Sequence, residues 1–233
     1  MSLYDRLNLT RPNRNLKVPI WERIDLTRPP KLRCQGCRLP IQSQWEFCPS
    51  CGTILIEKKS EFRRCIWVDA SGMCVEQENR EAINNILFDA FSKVYGAFRG
   101  VDVFLTSDAP EPKEWGHNFT HVYIFADNQP VGYLGVASFK LGMVTDRAII
   151  RIDQVFYASY NASLNINQLS NLIANTIAHE IGHTLGLDHS ALPTDVMHDG
   201  LDHIIHSSMP PSFHASQINA MNNAIRRQAD LKS

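Results

Sequence analysis

Residues His179 to His189 read HEIGHTLGLDH, and few stretches of this length restrict so strongly what a chain can fold into. On an α-helix, residues four apart share a face one turn from each other, so His179 and His183 present two imidazoles to one point. Glu180 is rotated by roughly 100° from His179, which sets it beside that point rather than on it. Gly186 takes a left-handed conformation at little cost, so it can end the helix and turn the chain back until His189 reaches the same point. Three neutral imidazoles around one ion leave a fourth position open, as a catalytic zinc requires. The five-residue core of the pattern occurs by chance in unrelated helices. A helix with surface histidines would not need the glycine and the third histidine at these fixed gaps.

The helix that carries this stretch begins well upstream. Asn165 can cap it, with Gln168 three residues later completing a capping-box arrangement, and Leu169, Leu172, Ile173, Thr176 and Ile177 supply its buried face. Earlier, RCIWVDA from Arg64 is a short apolar strand. EQENREAINNILFDAFSKVYGAF follows, with Ile83, Ile86, Leu87, Ala90, Phe91, Val94 and Phe98 on one helical stripe. Gly96 and Gly100 are expected to close that helix. Further strands are expected over 101–107, 121–127, 134–139 and 148–153, an irregular segment over 190–213, and a final amphipathic helix from Ala215. These elements predict an α/β (α+β) domain over 62–233 with a mixed, twisted sheet, two long helices and a C-terminal helix.

HEIGHTLGLDHS resembles the extended zinc motif of the metzincin metallopeptidases, and Ser190 after the third histidine makes it most similar to the matrixin branch. SALPTDVMHD resembles the methionine turn of that clan, with Met197 eighteen residues after His179. The resemblance covers about residues 62–230. It implies that His179, His183 and His189 bind a catalytic zinc and that Glu180 is the general base for a metal-activated water attacking a peptide bond. It also implies that Met197 underlies the site as a packing element, that strand 134–139 is the edge on which an extended substrate pairs, and that residues 198–213 wall the pocket. Some features depart from the branch. His198 and Asp199 replace the tyrosine and proline common after the methionine, no tyrosine follows Tyr160, and the loop 107–147 holds only His117 and His121, so no second zinc is expected there. His198, His203, His206, Asp199 and Asp202 could gather around another ion, but their spacing favours solvated loop residues. The expected activity is that of a zinc-dependent endopeptidase. An inactive metzincin-like adaptor, or a hydrolase of non-peptide amides, are the alternatives, and retention of Glu180 speaks against the first.

Residues 31–61 contain CQGCRLPIQSQWEFCPSCG, in which Cys34 and Cys37, then Cys48 and Cys51, form two matched Cys-x-x-Cys knuckles. Four thiolates make a closed tetrahedral site that stabilises a segment too small for its own core, and the sequence resembles a zinc ribbon. Two zinc ions are therefore expected, one catalytic and one structural. Arg33 and Cys34 have a faint likeness to the propeptide that holds secreted matrixins latent, yet a cysteine cannot easily serve both metals. Cys65 and Cys74 are read as a buried thiol and its unpaired neighbour rather than a disulfide. Residues 1–30 carry four prolines and no sustained period and are read as an extended or disordered arm.

The net charge of −1 conceals an asymmetry: residues 1–64 carry 13 Lys+Arg and 6 Asp+Glu, a balance of +7, which leaves −8 for residues 65–233. The basic quarter can attract an acidic protein or nucleic acid, or be a solvated appendage. No apolar run has the length of a membrane helix or signal peptide. With thiolate pairs that suit a reducing compartment, a cytoplasmic protein without a membrane partner is expected.

Overall fold

The computed structural model describes residues 62–73, 80–127, 129, 131–199 and 203–230. The arm expected over 1–30, the cysteine module over 31–61, Cys74 and Asp202 lie outside them. The elements in chain order are β1 (Arg64–Gly72), α1 (Arg80–Ala97), β2 (Val103–Thr106), α2 (Pro112–Trp115), β3 (Phe119–Phe125), β4 (Gly135–Ala137), β5 (Arg147–Arg151), α3 (Ile152–Asn161), α4 (Ile166–Thr184), α5 (His203–Ser208) and α6 (Ala215–Asp230).

The five strands form one mixed sheet in the order β2-β1-β3-β5-β4. The first four run parallel and β4 runs antiparallel to β5, pairing Gly135 with Ile150 and Ala137 with Ala148. Because strand side chains alternate, β3 buries Thr120, Val122 and Ile124 and leaves Phe119, His121, Tyr123 and Phe125 on the other face. The buried face continues through Ile66, Val68, Ala148 and Ile150, and the helices pack against it. On α1 the expected stripe is buried at Ile83, Ile86, Leu87, Ala90 and Val94. Gly96 lies within that helix, and it is Gly100, at φ +88°, that turns the chain.

The capping box at Asn165 and Gln168 is present, with both reciprocal bonds at 3.0 Å. From Leu169 to Thr184 every residue of α4 is buried, so this helix is enclosed on all sides rather than half-exposed. Burying side chains such as Leu172, Ile173 and Ile177 stabilises the fold by about 1.5–3 kcal/mol each. Arg64 is buried as well, and each nitrogen of its guanidinium is bonded. It donates to Thr120 Oγ1, Gln228 Oε1, Phe119 O and Thr145 O at 2.7–2.9 Å, tying α6 to the sheet.

Three short helices depart from the sequence expectation. The strand expected to Asp153 ends at Arg151, and α3 follows immediately, burying Ile152, Val155, Phe156 and Ser159. Those positions have spacings of three, four and seven, a helical stripe that the β-branched run before them masked. The segment 190–213, expected to be irregular, contains α5, and α2 forms where only loop was expected. Helix α5 is too short to stand alone and is held by tertiary bonds: Asn171 Nδ2 donates to Ser207 O, and Asn175 Nδ2 to His206 O and Met209 O. No helix among the described residues is long and apolar enough to cross a membrane.

Asn165→Ala removes the cap and its reciprocal partner, and is expected to lower stability by about 1 kcal/mol in urea denaturation of the zinc-free protein. An unchanged midpoint would contradict the cap's role.

Candidate metal centre

The end of α4 is shaped by its glycines. Gly186 stands at φ +86°, and the bonds Leu187 N to Gly182 O and Gly186 N to His183 O, each 3.0 Å, are those of a Schellman motif. A Cβ on Gly186 would lie 2.7 Å from Met143 N and 2.9 Å from Gly142 C, so the turn and the close approach of the 140–145 loop both require glycine. That loop is fastened by Gly142 N to Gly186 O at 2.9 Å and Thr145 N to Thr184 O at 2.8 Å.

The turn brings His189 back to His179 and His183. Their ligating atoms all lie within 4.8 Å of one another, and His183 Nε2 is 3.0 Å from His179 Nε2 and 3.1 Å from His189 Nε2. His179 Nδ1 donates to Val196 O at 2.7 Å and His183 Nδ1 to Leu187 O at 2.9 Å. A carbonyl can only accept, so those nitrogens carry the protons and the two Nε2 atoms are bare. Burial holds the His179 pKa down at about 4 and lowers that of His183, which keeps both rings neutral near pH 7. Bare nitrogens facing each other at 3.0 Å cannot bond to one another. A tetrahedral ion with Zn–N of about 2.0–2.1 Å needs nitrogens about 3.3 Å apart, so the donor set fits zinc in type and spacing.

Glu180 is 5% exposed, and its carboxylate has no hydrogen-bond or ion-pair partner among the described residues. Burial pushes its pKa up to about 8; a dication beside it would favour the ionised form. The carboxylate rests against Gly135 of β4, where a Cβ would come within 2.7 Å of Oε1.

Met197 is fully buried beneath this corner, and a Cβ on Gly182 would fall 2.5 Å from its sulfur. Asp195 Oδ1 accepts from Met197 N at 2.8 Å and from Gln217 Nε2 at 3.0 Å, which anchors the turn to α6. The structure thus brings His179, His183, His189, Glu180, Gly186 and Met197 to one place. Cys34, Cys37, Cys48 and Cys51 lie outside the described residues. His198 Nδ1 donates to Ser190 O and His206 Nε2 to Asp195 O, and among the described residues neither joins a second group of ligand atoms close enough to share one ion. Asp199 and His203 instead line the cleft that contains the triad.

That cleft, of about 870 Å³, runs between β4 and α3. Its walls include Tyr133 and Val136 on one side and Tyr157, Ala158 and Asn161 on the other. Sequence reasoning missed the α3 wall, and with it Gly135 and Gly182. A glycine opposite a predicted carboxylate or methionine could only have been recognised once the packing was known.

A family model, metallo-peptidase family M12B Reprolysin-like, matches residues 106–190, a span that includes the three histidines and Glu180. No curated protein matches the chain. Among solved structures, the chain is similar to a zinc-dependent peptidase from Methanocorpusculum labreanum at 15% identity and TM-score 0.46, covering 68% of this chain and 100% of that one. It is similar to the archaemetzincin of Methanopyrus kandleri at 15% identity and TM-score 0.42, covering 77% and 100%. The archaemetzincin of Archaeoglobus fulgidus, complexed with malonate, gives 17% identity and TM-score 0.39, covering 67% and 99%.

Gly186→Ala adds a strained left-handed residue and a clash with backbone, and is expected to cost about 1–3 kcal/mol and to weaken zinc retention. Unfolding midpoints and chelator competition check both; a variant as stable and as zinc-tight as wild type would contradict the assigned role.

Proposed function

We propose that this chain is a zinc-dependent endopeptidase of metzincin type. The observation that carries the reading is the placement of an unpartnered, buried Glu180 between a triangle of imidazole nitrogens and the β4 edge of the sheet. Zinc held by His179, His183 and His189 would polarise a peptide carbonyl and make water acidic enough to react near neutral pH. The residues of the chain do the rest. The β4 edge pairs with the backbone of an extended substrate and aligns its scissile bond along the cleft. Glu180 takes the proton of the attacking water and returns it to the leaving amine. Gly135 leaves the carboxylate room to do so, and Met197 supports the helix from below. Tyr157 and Asn161 of α3, with His203 and Asp199, form the wall that selects side chains.

In the same reading Cys34, Cys37, Cys48 and Cys51 hold a second, structural zinc, and the basic segment around them docks a protein or nucleic-acid partner in a reducing, cytoplasmic compartment. The branch within the clan is a finer matter. Ser190 and the spacing of Met197 speak for a matrixin-like chain, whereas the family model that matches is reprolysin-like.

The test is zinc content together with cleavage of a mixed peptide library. Wild type is expected to hold two zinc ions per chain, and His183→Ala one. Glu180→Gln is expected to keep both while cleavage falls by roughly 10²–10⁴-fold. Cleavage that survives Glu180→Gln, or zinc unchanged in His183→Ala, would overturn the proposal.

A further inference from the structure

The three imidazoles are not held alike. His179 and His183 each give Nδ1–H to a backbone carbonyl, Val196 O and Leu187 O, which fixes ring rotation and tautomer. His189 arrives on the returning chain with its side chain 42% exposed, and no carbonyl receives its Nδ1 among the described residues. To offer a bare Nε2, its proton must sit on Nδ1, and that N–H needs an acceptor. What faces it is Asp199 Oδ1, at 3.7 Å.

The backbone ties these two residues into one unit. Ser190, next to His189, forms a bridge with His198, next to Asp199, and Ser190 N donates to Met197 O at 2.7 Å. The other nearby carboxylate, Asp188, already accepts from His189 N at 2.8 Å. Asp199 is 79% exposed, so its side chain has room to move from 3.7 Å toward the about 2.7–2.9 Å of a charge-assisted bond.

We infer that Asp199 is the positioning residue of the third ligand, the carboxylate that receives His189 Nδ1–H and aims Nε2 at the zinc. The inference rests on the zinc reading above. It gives a role to the position where the sequence departs from the matrixin pattern: the residue pair after Met197 contributes an orienting acid. A carboxylate there also makes His189 a stronger donor than a neutral acceptor would.

The test is competition for zinc between the full chain and a chromophoric chelator, with the triad's share defined as the zinc lost in His183→Ala. Asp199→Asn keeps the shape and removes the charge, and is expected to weaken the triad's zinc affinity roughly 10–100-fold. Asp199→Glu is expected to recover most of that loss, and zinc-free Asp199→Asn to unfold at the wild-type temperature. Affinity within about twofold of wild type, equal loss in the Asn and Glu variants, or a lowered unfolding temperature of zinc-free Asp199→Asn would each overturn the positioning role. A wild type that loses no zinc on His183→Ala would instead overturn the zinc reading itself.

Discussion

Two bare imidazole nitrogens 3.0 Å apart, on side chains that are largely buried, repel each other and attract a cation, and much of the surrounding structure serves to hold them there. The carbonyls that fix them belong to the two turns following α4: Leu187 lies in the Schellman turn and Val196 in the methionine turn. The folding of those turns therefore sets the tautomers of these two histidines. Met197 and Gly182 fit together under the same corner, and Asp195 binds the methionine turn to α6. A disturbance in any of these reaches the nitrogens through only one or two contacts.

The same corner explains why the rest of the cleft has its form. Glu180 lies one residue along the helix from His179, is buried without a polar partner, and meets the edge strand where a glycine leaves it space. Arg151 N donates to Leu134 O at 2.8 Å, so β4 is held at its approach as well as along its pairing with β5. On the far side, Asn171 and Asn175 use the face of α4 that leads to His179 to hold α5, and α5 carries His203 to the cleft. One buried helix thus carries His179, Glu180 and His183 and holds the short helix that brings His203 to the cleft.

How much of this could be read from the sequence depended on whether the information was local. The helix start at Asn165, the turn at Gly186 and the convergence of three histidines follow from spacing and backbone preference within twenty-five residues, and the structure has each of them. The parallel core strands showed as apolar runs. Helix α3 was missed because Ile149, Ile150 and Ile152 favour a strand and hide the stripe of Val155, Phe156 and Ser159 that follows. Helix α5 exists through bonds from asparagines about 30 residues away, which no local pattern announces. Gly135 and Gly182 are needed only because of what packs against them, so their purpose appears in three dimensions alone. The cysteine module, legible as paired knuckles, lies outside the described residues.

On this reading His179, His183 and His189 share one metal ion. That sharing is tested most directly by anomalous diffraction at the zinc absorption edge from crystals of the full chain. A peak is expected about 2.0–2.1 Å from all three Nε2 atoms, with Glu180 beside it and not coordinated. A map without density between these nitrogens, or with zinc bound by only two of them and by Glu180, would contradict it.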